Sequence, residues 1–166
     1  MPLNIEIKAR TNQQNKIKAI LIERNADFKG VDHQIDTYFN VAFGRLKLRE
    51  GTIENNLIHY QRPNQAGPKK SEVTLYRSDP ESTLKEVLTN ALGIMKVIDK
   101  HRSIYFIDNV KFHLDEVKGL GTFVEIEAID TDGTISKEKL LSQCEFYMNL
   151  YDSHGDDLIN VSYRDL

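Results

Sequence analysis

The chain has 166 residues, with 22 basic and 25 acidic side chains and a formal net charge of −3. That length lets one domain, residues 1–166, bury a core without disulfides or a structural metal. The charge balance gives no global positive field, so we expect neither nucleic acid nor a membrane as a partner. A single cysteine, Cys144, excludes an intramolecular disulfide and a cysteine-based zinc site. We expect a soluble cytoplasmic protein, monomeric or homodimeric.

Three segments have the spacing of amphipathic helices. The first covers about 13–25, the second opens near Pro80, and the third opens near Ser136. A short helical turn is predicted around 156–160, and 161–165 is a possible final strand. These helices are too few to form the core alone, so most of the chain must form sheet.

The remaining segments alternate between apolar and polar residues with a period of two, as half-buried strands do. They lie near residues 3–11, 34–41, 44–50, 56–63, 70–77, 96–107, 109–117 and 121–130. Eight such segments predict a mainly antiparallel sheet that is large enough to curl or close. The irregular stretch 63–70, which ends in Lys69 and Lys70, is predicted to be a mobile flap.

Charged residues share one face of several predicted strands. Arg45, Lys47 and Arg49 lie on one face of theirs, and like charges arranged in this way repel unless an anion lies among them. The same pattern recurs in Lys8 and Arg10, in Tyr60 and Arg62, and in Lys100 and Arg102.

Acidic residues follow the same rule in the later strands. His113 shares a face with Asp115, and Glu125 shares one with Glu127. Carboxylates without cysteine or paired histidines suit Mg²⁺ or Mn²⁺, ions that bind phosphate oxygens directly. The alternative is an open sheet with a solvated charged face. Because several strands carry charges segregated by sign, we favour a tunnel with polar residues inside and apolar residues facing outer helices.

The N-terminal motif Asn4-x-Glu6-x-Lys8 resembles the ExExK signature of the CYTH family, the triphosphate tunnel metalloenzymes. The resemblance extends over nearly the whole chain, through the segment 44–50 and the segment 119–127. It implies an α+β fold with a closed eight-stranded antiparallel β-barrel, Mg²⁺ or Mn²⁺ held by carboxylates, and a small-molecule linear triphosphate bound by basic side chains.

Residue roles follow from the resemblance. It implies metal ligands at Glu6, Asp115, Glu125 and Glu127, and catalytic roles for Glu6, Tyr38, Arg62 and Asp115. It implies phosphate-binding side chains at Lys8, Arg10, Arg45, Lys47, Arg49, Arg62, Lys70, Lys100 and Arg102.

Two positions depart from the family pattern. Asn4 replaces the first acid of the signature and removes one negative charge from the metal cluster. Tyr38 and a later basic residue resemble the Tyr–Lys pair that activates water in thiamine triphosphatases, but Arg62 stands here in place of the lysine, and arginine is too basic to act as a general base. The metal or Tyr38 would then have to activate the attacking water. The alternative role for Tyr38 is as an aromatic side chain that packs in the barrel. His113 is predicted to hydrogen-bond within the tunnel rather than bind metal.

The leading functional hypothesis is metal-dependent hydrolysis of an inorganic or organic triphosphate. The main alternative is a class IV-type adenylyl cyclase, which would make cyclic AMP and pyrophosphate from ATP. A third hypothesis, motivated by Asn4, is a non-catalytic polyphosphate- or nucleotide-binding module.

Overall fold

The computed structural model describes residues 3–61, 67–151, 158–159 and 163–166, apart from the side chains of Lys69, Ser71 and Arg164. Eight antiparallel strands close into a barrel in the order β1-β5-β4-β3-β2-β6-β7-β8. The strands are β1 Leu3–Arg10, β2 Asp27–Phe39, β3 Arg45–Gly51, β4 Asn55–Gln61, β5 Lys69–Arg77, β6 Ile94–Ile107, β7 Val110–Val117 and β8 Gly121–Asp130. The closed antiparallel barrel predicted from the sequence is confirmed.

Three helices accompany the barrel in the described part of the chain. They are α1 Gln14–Glu23, α2 Leu84–Leu92 and α3 Lys137–Leu150. Ser136 is the N-cap of α3: its side chain accepts a hydrogen bond from the Lys139 backbone N–H and so caps the first turn. No described helix is long and apolar enough to cross a membrane.

The main apolar core lies outside the barrel, between the sheet and two helices. Outward-facing side chains of β1, β7 and β8 pack against α1 and α3 there. This core contains Ile5, Ile7, Phe112, Leu114, Val124, Ile126, Ile17, Leu21, Leu140 and Cys144. The opposite faces of the same strands are therefore free to carry polar groups into the barrel interior, as the sequence pattern predicted.

The predicted final strand at 161–165 is wrong for its described part, because Tyr163–Asp165 forms a 3-10 turn. The ring of Tyr163 instead packs against Phe123 with a centroid distance of 4.9 Å. In the segment predicted as a helical turn, Leu158 forms an isolated β-bridge with Ala9, and most of that segment lies outside the described residues.

Candidate functional site

The barrel encloses a polar cavity of about 150 Å³. Strand alternation directs every second side chain inward, and the inward set comes from all eight strands. Among the described residues, six cations and four carboxylates line this cavity. They are Lys8, Lys47, Arg49, Lys100, Arg102 and Lys111, together with Glu6, Glu54, Glu125 and Glu127.

Most of the cations lie on one side of the cavity, on β3 and β6, around the buried carboxylate of Asp36. Arg49 donates to both oxygens of Asp36 from Nε and Nη2, at 2.9 and 2.8 Å. Lys100 Nζ donates to Oδ2 at 2.6 Å, and Lys47 Nζ lies 3.9 Å from the same oxygen. Burial alone would raise the pKa of Asp36, but the charges of Arg49 and Lys100 hold it well below its usual range. Asp36 thus fixes the cations in place.

A second buried ion pair holds Arg102. Its Nε and Nη2 donate to the two oxygens of Asp115 at 2.7 and 2.8 Å. The hydroxyl of Tyr163 donates to Asp115 Oδ2 at 2.7 Å. Asp115 is fully buried, and it does not line the cavity. The predicted role of Asp115 as a metal ligand therefore lacks support, and this carboxylate instead positions Arg102.

The carboxylate side of the cavity is formed by β1, β7 and β8. Glu125 Oε1 lies 2.8 Å from His113 Nδ1, a contact of the kind the sequence predicted for a hydrogen-bonded histidine, and its other oxygen lies 3.5 Å from Lys8 Nζ. Glu127 accepts from the amide of Asn4 at 2.8 Å. Burial and the neighbouring Glu125 raise the pKa of Glu127. Burial alone would also raise the pKa of Glu125, but Lys8, the contact with His113 and the charge of Arg102 together hold it well below its usual range.

His113, Glu125 and Glu127 form the one cluster of metal-capable groups found among the described residues. A ring nitrogen of the histidine and one oxygen of each carboxylate lie within 4.8 Å of one another. Glu6 stands opposite Glu127 in the β1–β8 register and also lines the cavity. Of the four predicted metal ligands, the structure thus brings Glu125 and Glu127 into one cluster with His113, while Glu6 lines the same cavity outside that cluster.

Lys47 lies between two aromatic rings on the cation side. Its Nζ is 5.8 Å from the ring centroid of Tyr38 and 5.2 Å from that of Tyr60. Burial, together with the charge of Arg49, lowers the pKa of Lys47 to about 7. Burial and the neighbouring Tyr60 raise the pKa of Tyr38 well above its usual range. The raised pKa favours the protonated phenol of Tyr38, which is a hydrogen-bond donor.

Three of the predicted phosphate-binding residues lie away from the cavity. Arg10 donates to the Leu120 carbonyl at 3.0 Å, and Arg45 donates to Asp165 at 2.8 Å. Lys70 pairs in register with the outward-facing Ile5, and its Nζ lies 3.8 Å from Glu72 on the outer surface.

The predicted flap role of Lys70 is accordingly corrected, since this residue belongs to β5 and its side chain points away from the tunnel. Arg62, predicted as both a catalytic and a phosphate-binding residue, lies outside the described residues.

Glu54 approaches the cavity from the turn between β3 and β4. It accepts from Lys111 Nζ at 2.6 Å and lies 3.7 Å from Arg49 Nη1. The fully buried Asp32 holds this turn by accepting from the backbone N–H groups of Ile53 and Glu54 at 2.8 and 2.9 Å. The turn also packs closely, because a Cβ on Gly51 would lie 2.6 Å from Asp32 Oδ1.

Sequence reasoning assigned no site role to Asp36, Glu54, Lys111 or Tyr163. Asp36 and Lys111 do alternate with apolar residues in their strands, so period-two patterning could have placed them inside. Glu54 comes from a turn, where no periodicity operates. Tyr163 reaches Asp115 through a contact between residues 48 positions apart, which local sequence does not encode.

Comparison with known proteins agrees with this architecture. The model of the CYTH domain matches residues 2–157, and the chain therefore belongs to the CYTH domain family. A curated protein of Methanocaldococcus jannaschii named "Putative adenylate cyclase MJ0240" is 25% identical over 99% of this chain and 98% of its own.

Solved structures share the fold. The PH1012 protein of Pyrococcus horikoshii superimposes with a TM-score of 0.81 at 23% identity, covering 98% of both chains. A Hippeastrum protein named "Putative adenylyl cyclase HpAC1", for which a dominant triphosphatase activity is described, has a TM-score of 0.63 at 14% identity, covering 98% of this chain and 91% of its own.

CYTH proteins are metal-dependent enzymes, and the residues present fit a divalent ion. His113 Nε2 and Asn4 Oδ1 are buried and have no hydrogen-bond partner among the described residues. Both atoms belong to side chains that contact the carboxylates of Glu125 or Glu127. A cation at these carboxylates could be bound by these two atoms, which have no partner in the described part of the chain.

Proposed function

We propose that this protein hydrolyses a linear triphosphate, inorganic or organic, within the barrel in the presence of a divalent metal ion. The observation that carries the proposal is the placement of cations opposite carboxylates inside the barrel. Strands β3 and β8 are four positions apart in the eight-stranded order, so Lys47 and Arg49 face Glu125 and Glu127. Such a cavity suits a polyanion that also carries a divalent cation.

The cations are arranged to hold phosphate oxygens. Arg49 and Arg102 each use two of their five N–H donors on an aspartate, which fixes the guanidinium plane and leaves the remaining donors for a ligand. Lys100 and Lys47 add point charges beside them. Phosphoryl transfer gathers negative charge on the transferred group, and fixed cations stabilise that charge without reorganising.

On the opposite side, Glu125 and Glu127, with Glu6 beside them, would hold the metal ion. When bound, such an ion polarises a phosphoryl oxygen and lowers the pKa of a coordinated water. Tyr38, which remains protonated, would donate a hydrogen bond to a phosphate oxygen or to the attacking water.

An adenylyl cyclase is the second candidate, favoured by the name of the Methanocaldococcus relative that matches almost the whole chain. The two reactions share the phosphate and metal sites and differ in the nucleophile. In the cyclase reaction the ribose 3′-hydroxyl attacks the α-phosphorus and pyrophosphate leaves. In hydrolysis water attacks and orthophosphate is released from tripolyphosphate.

The deciding experiment supplies tripolyphosphate, ATP, GTP and thiamine triphosphate with Mg²⁺ or Mn²⁺ and measures orthophosphate, pyrophosphate and cyclic AMP. We expect orthophosphate from at least one of these substrates, lost in Glu125→Gln and kept in Glu116→Gln, which changes an exposed carboxylate on the neighbouring strand. Cyclic AMP with stoichiometric pyrophosphate would establish the cyclase instead. No turnover of any substrate across a broad pH range would reject both enzymes.

A further inference from the structure

His113 is a buried imidazole whose surroundings are not explained by phosphate binding. It lies on β7, its side chain is 3% exposed, and it lines the cavity beside Glu125 and Glu127. Nδ1 contacts Glu125 Oε1 at 2.8 Å, while Nε2 is buried with no partner among the described residues.

A neutral imidazole has one N–H and one lone pair, and neither tautomer of His113 is satisfied by the described protein atoms. If Nδ1 carries the hydrogen, it donates to Glu125 and the buried Nε2 lone pair has no donor. If Nε2 carries the hydrogen, that donor has no acceptor and the Nδ1 lone pair faces a carboxylate. In either case one lone pair requires a cation or a donor that the described residues do not supply.

Asn4 has a similar deficit on the other side of the carboxylates. Its amide nitrogen donates to Glu127 Oε1 at 2.8 Å, which places the amide group next to the cluster. Its Oδ1 is buried without a partner among the described residues. An amide oxygen is a neutral ligand. Asn4 and His113 therefore offer two neutral donor atoms beside Glu125 and Glu127.

We propose that His113 is a direct ligand of the metal ion held by Glu125 and Glu127, which makes the centre a mixed nitrogen–oxygen site that binds Mn²⁺ in preference to Mg²⁺. Imidazole suits first-row transition ions, whereas Mg²⁺ prefers oxygen and keeps its waters. The inference rests on the proposed function only in requiring that a metal ion binds in the tunnel. It does not depend on which triphosphate is the substrate or on whether it is turned over.

The experiment is electron spin-echo envelope modulation on the full chain loaded with substoichiometric Mn²⁺. A directly coordinated imidazole gives a ¹⁴N coupling to the Mn²⁺ electron spin, and labelling the histidines with ¹⁵N replaces it by the ¹⁵N pattern. We expect this coupling in the unaltered protein, its loss in His113→Gln and its retention in His101→Gln. His101 is the matched control, because it is an exposed histidine on the outer face of β6.

Calorimetric titration gives the second measurement. In His113→Gln we expect the affinity for Mn²⁺ to fall by about tenfold or more, while the affinity for Mg²⁺ changes by less than about threefold. Thermal unfolding checks that the variant is folded. The spin-echo spectrum of the unaltered protein tests for a nitrogen ligand even if the variant does not fold.

Mn²⁺ bound without a nitrogen coupling, a coupling that survives in His113→Gln, or no Mn²⁺ binding at all would overturn the proposal. A nitrogen coupling in a protein that hydrolyses nothing would support it and reject the proposed function alone.

Discussion

Asp115 and Arg102 form a closed pair inside the barrel: both carboxylate oxygens accept from the guanidinium, at 2.7 and 2.8 Å, and one also accepts from Tyr163. This pairing separates the acids of the tunnel into two groups. Asp115 and Asp36 hold arginines in position. Glu125 and Glu127 remain at the cavity surface, beside His113 Nε2 and Asn4 Oδ1, two buried atoms with no hydrogen-bond partner among the described residues.

The first prediction distinguishes those two groups. Asp115→Asn leaves the guanidinium of Arg102 buried without its counter-charge, so we expect the free energy of unfolding to fall by about 3–5 kcal/mol. Because Asp115 does not line the cavity, the Mn²⁺ affinity of the folded variant should change by less than about threefold. Denaturant unfolding and calorimetry measure the two quantities.

Glu127→Gln is the matched variant and should behave in the opposite way. Its pKa is raised by burial and by Glu125, so removing the charge relieves repulsion and should cost little stability. Its Mn²⁺ affinity should fall by about tenfold or more. Metal binding that depends on Asp115 and not on Glu127 would refute this division of roles.

The second prediction concerns Lys47 and pH. Its pKa is about 7 in the ligand-free tunnel, and a bound polyanion favours the charged ammonium. Binding of tripolyphosphate between about pH 7.5 and 8.5 should therefore take up protons, and the affinity should fall as the pH rises above 7. Calorimetry in buffers of different ionisation enthalpy measures this uptake.

Lys47→Arg is the corresponding variant, because arginine keeps its charge over the whole range. It should take up fewer protons, while Lys8 and Lys100, whose pKa values are also lowered by burial, still contribute. Equal proton uptake in the two proteins would contradict the assigned role of Lys47.

The third prediction concerns Glu54, which neutralises two cations of the cavity. Glu54→Gln removes the charge that holds Lys111 and lies near Arg49, so metal-free tripolyphosphate should bind more tightly by about 1 kcal/mol, or roughly fivefold. Glu50→Gln is the matched control, since Glu50 lies on the same hairpin and pairs at 3.2 Å with Lys85 outside the barrel. Equal effects of the two changes would show that the gain comes from net charge alone.

The fourth prediction is acid sensitivity that depends on Asp36. Its pKa is lowered in the folded state, so its contribution to stability is present above the unfolded value near 4 and is lost as the pH falls further. Asp36→Asn lacks this contribution at every pH. The melting temperatures of the two proteins should therefore differ most at pH 7 and converge toward pH 2.5. A difference that stays constant over this range would be inconsistent with the ion pair.

The sequence by itself determined the barrel and the sign of its two walls. Alternation with a period of two fixes which side chains share a face, so Lys47 and Arg49, or Glu125 and Glu127, lie on one face of their strand whatever else the chain does. The outer core follows equally, since Ile5 and Ile7 occupy the other face of the strand that carries Glu6.

The tertiary structure decided which of those inward groups are paired with each other. Asp115 and Glu125 have the same local pattern, but the β6–β7 register places Arg102 opposite Asp115, and a remote turn adds Tyr163. Asp115 therefore has both oxygens bound to Arg102, while Glu125 lies at the cavity surface next to His113. Electrostatic roles depend on distances across strands, which alternation within one strand does not specify.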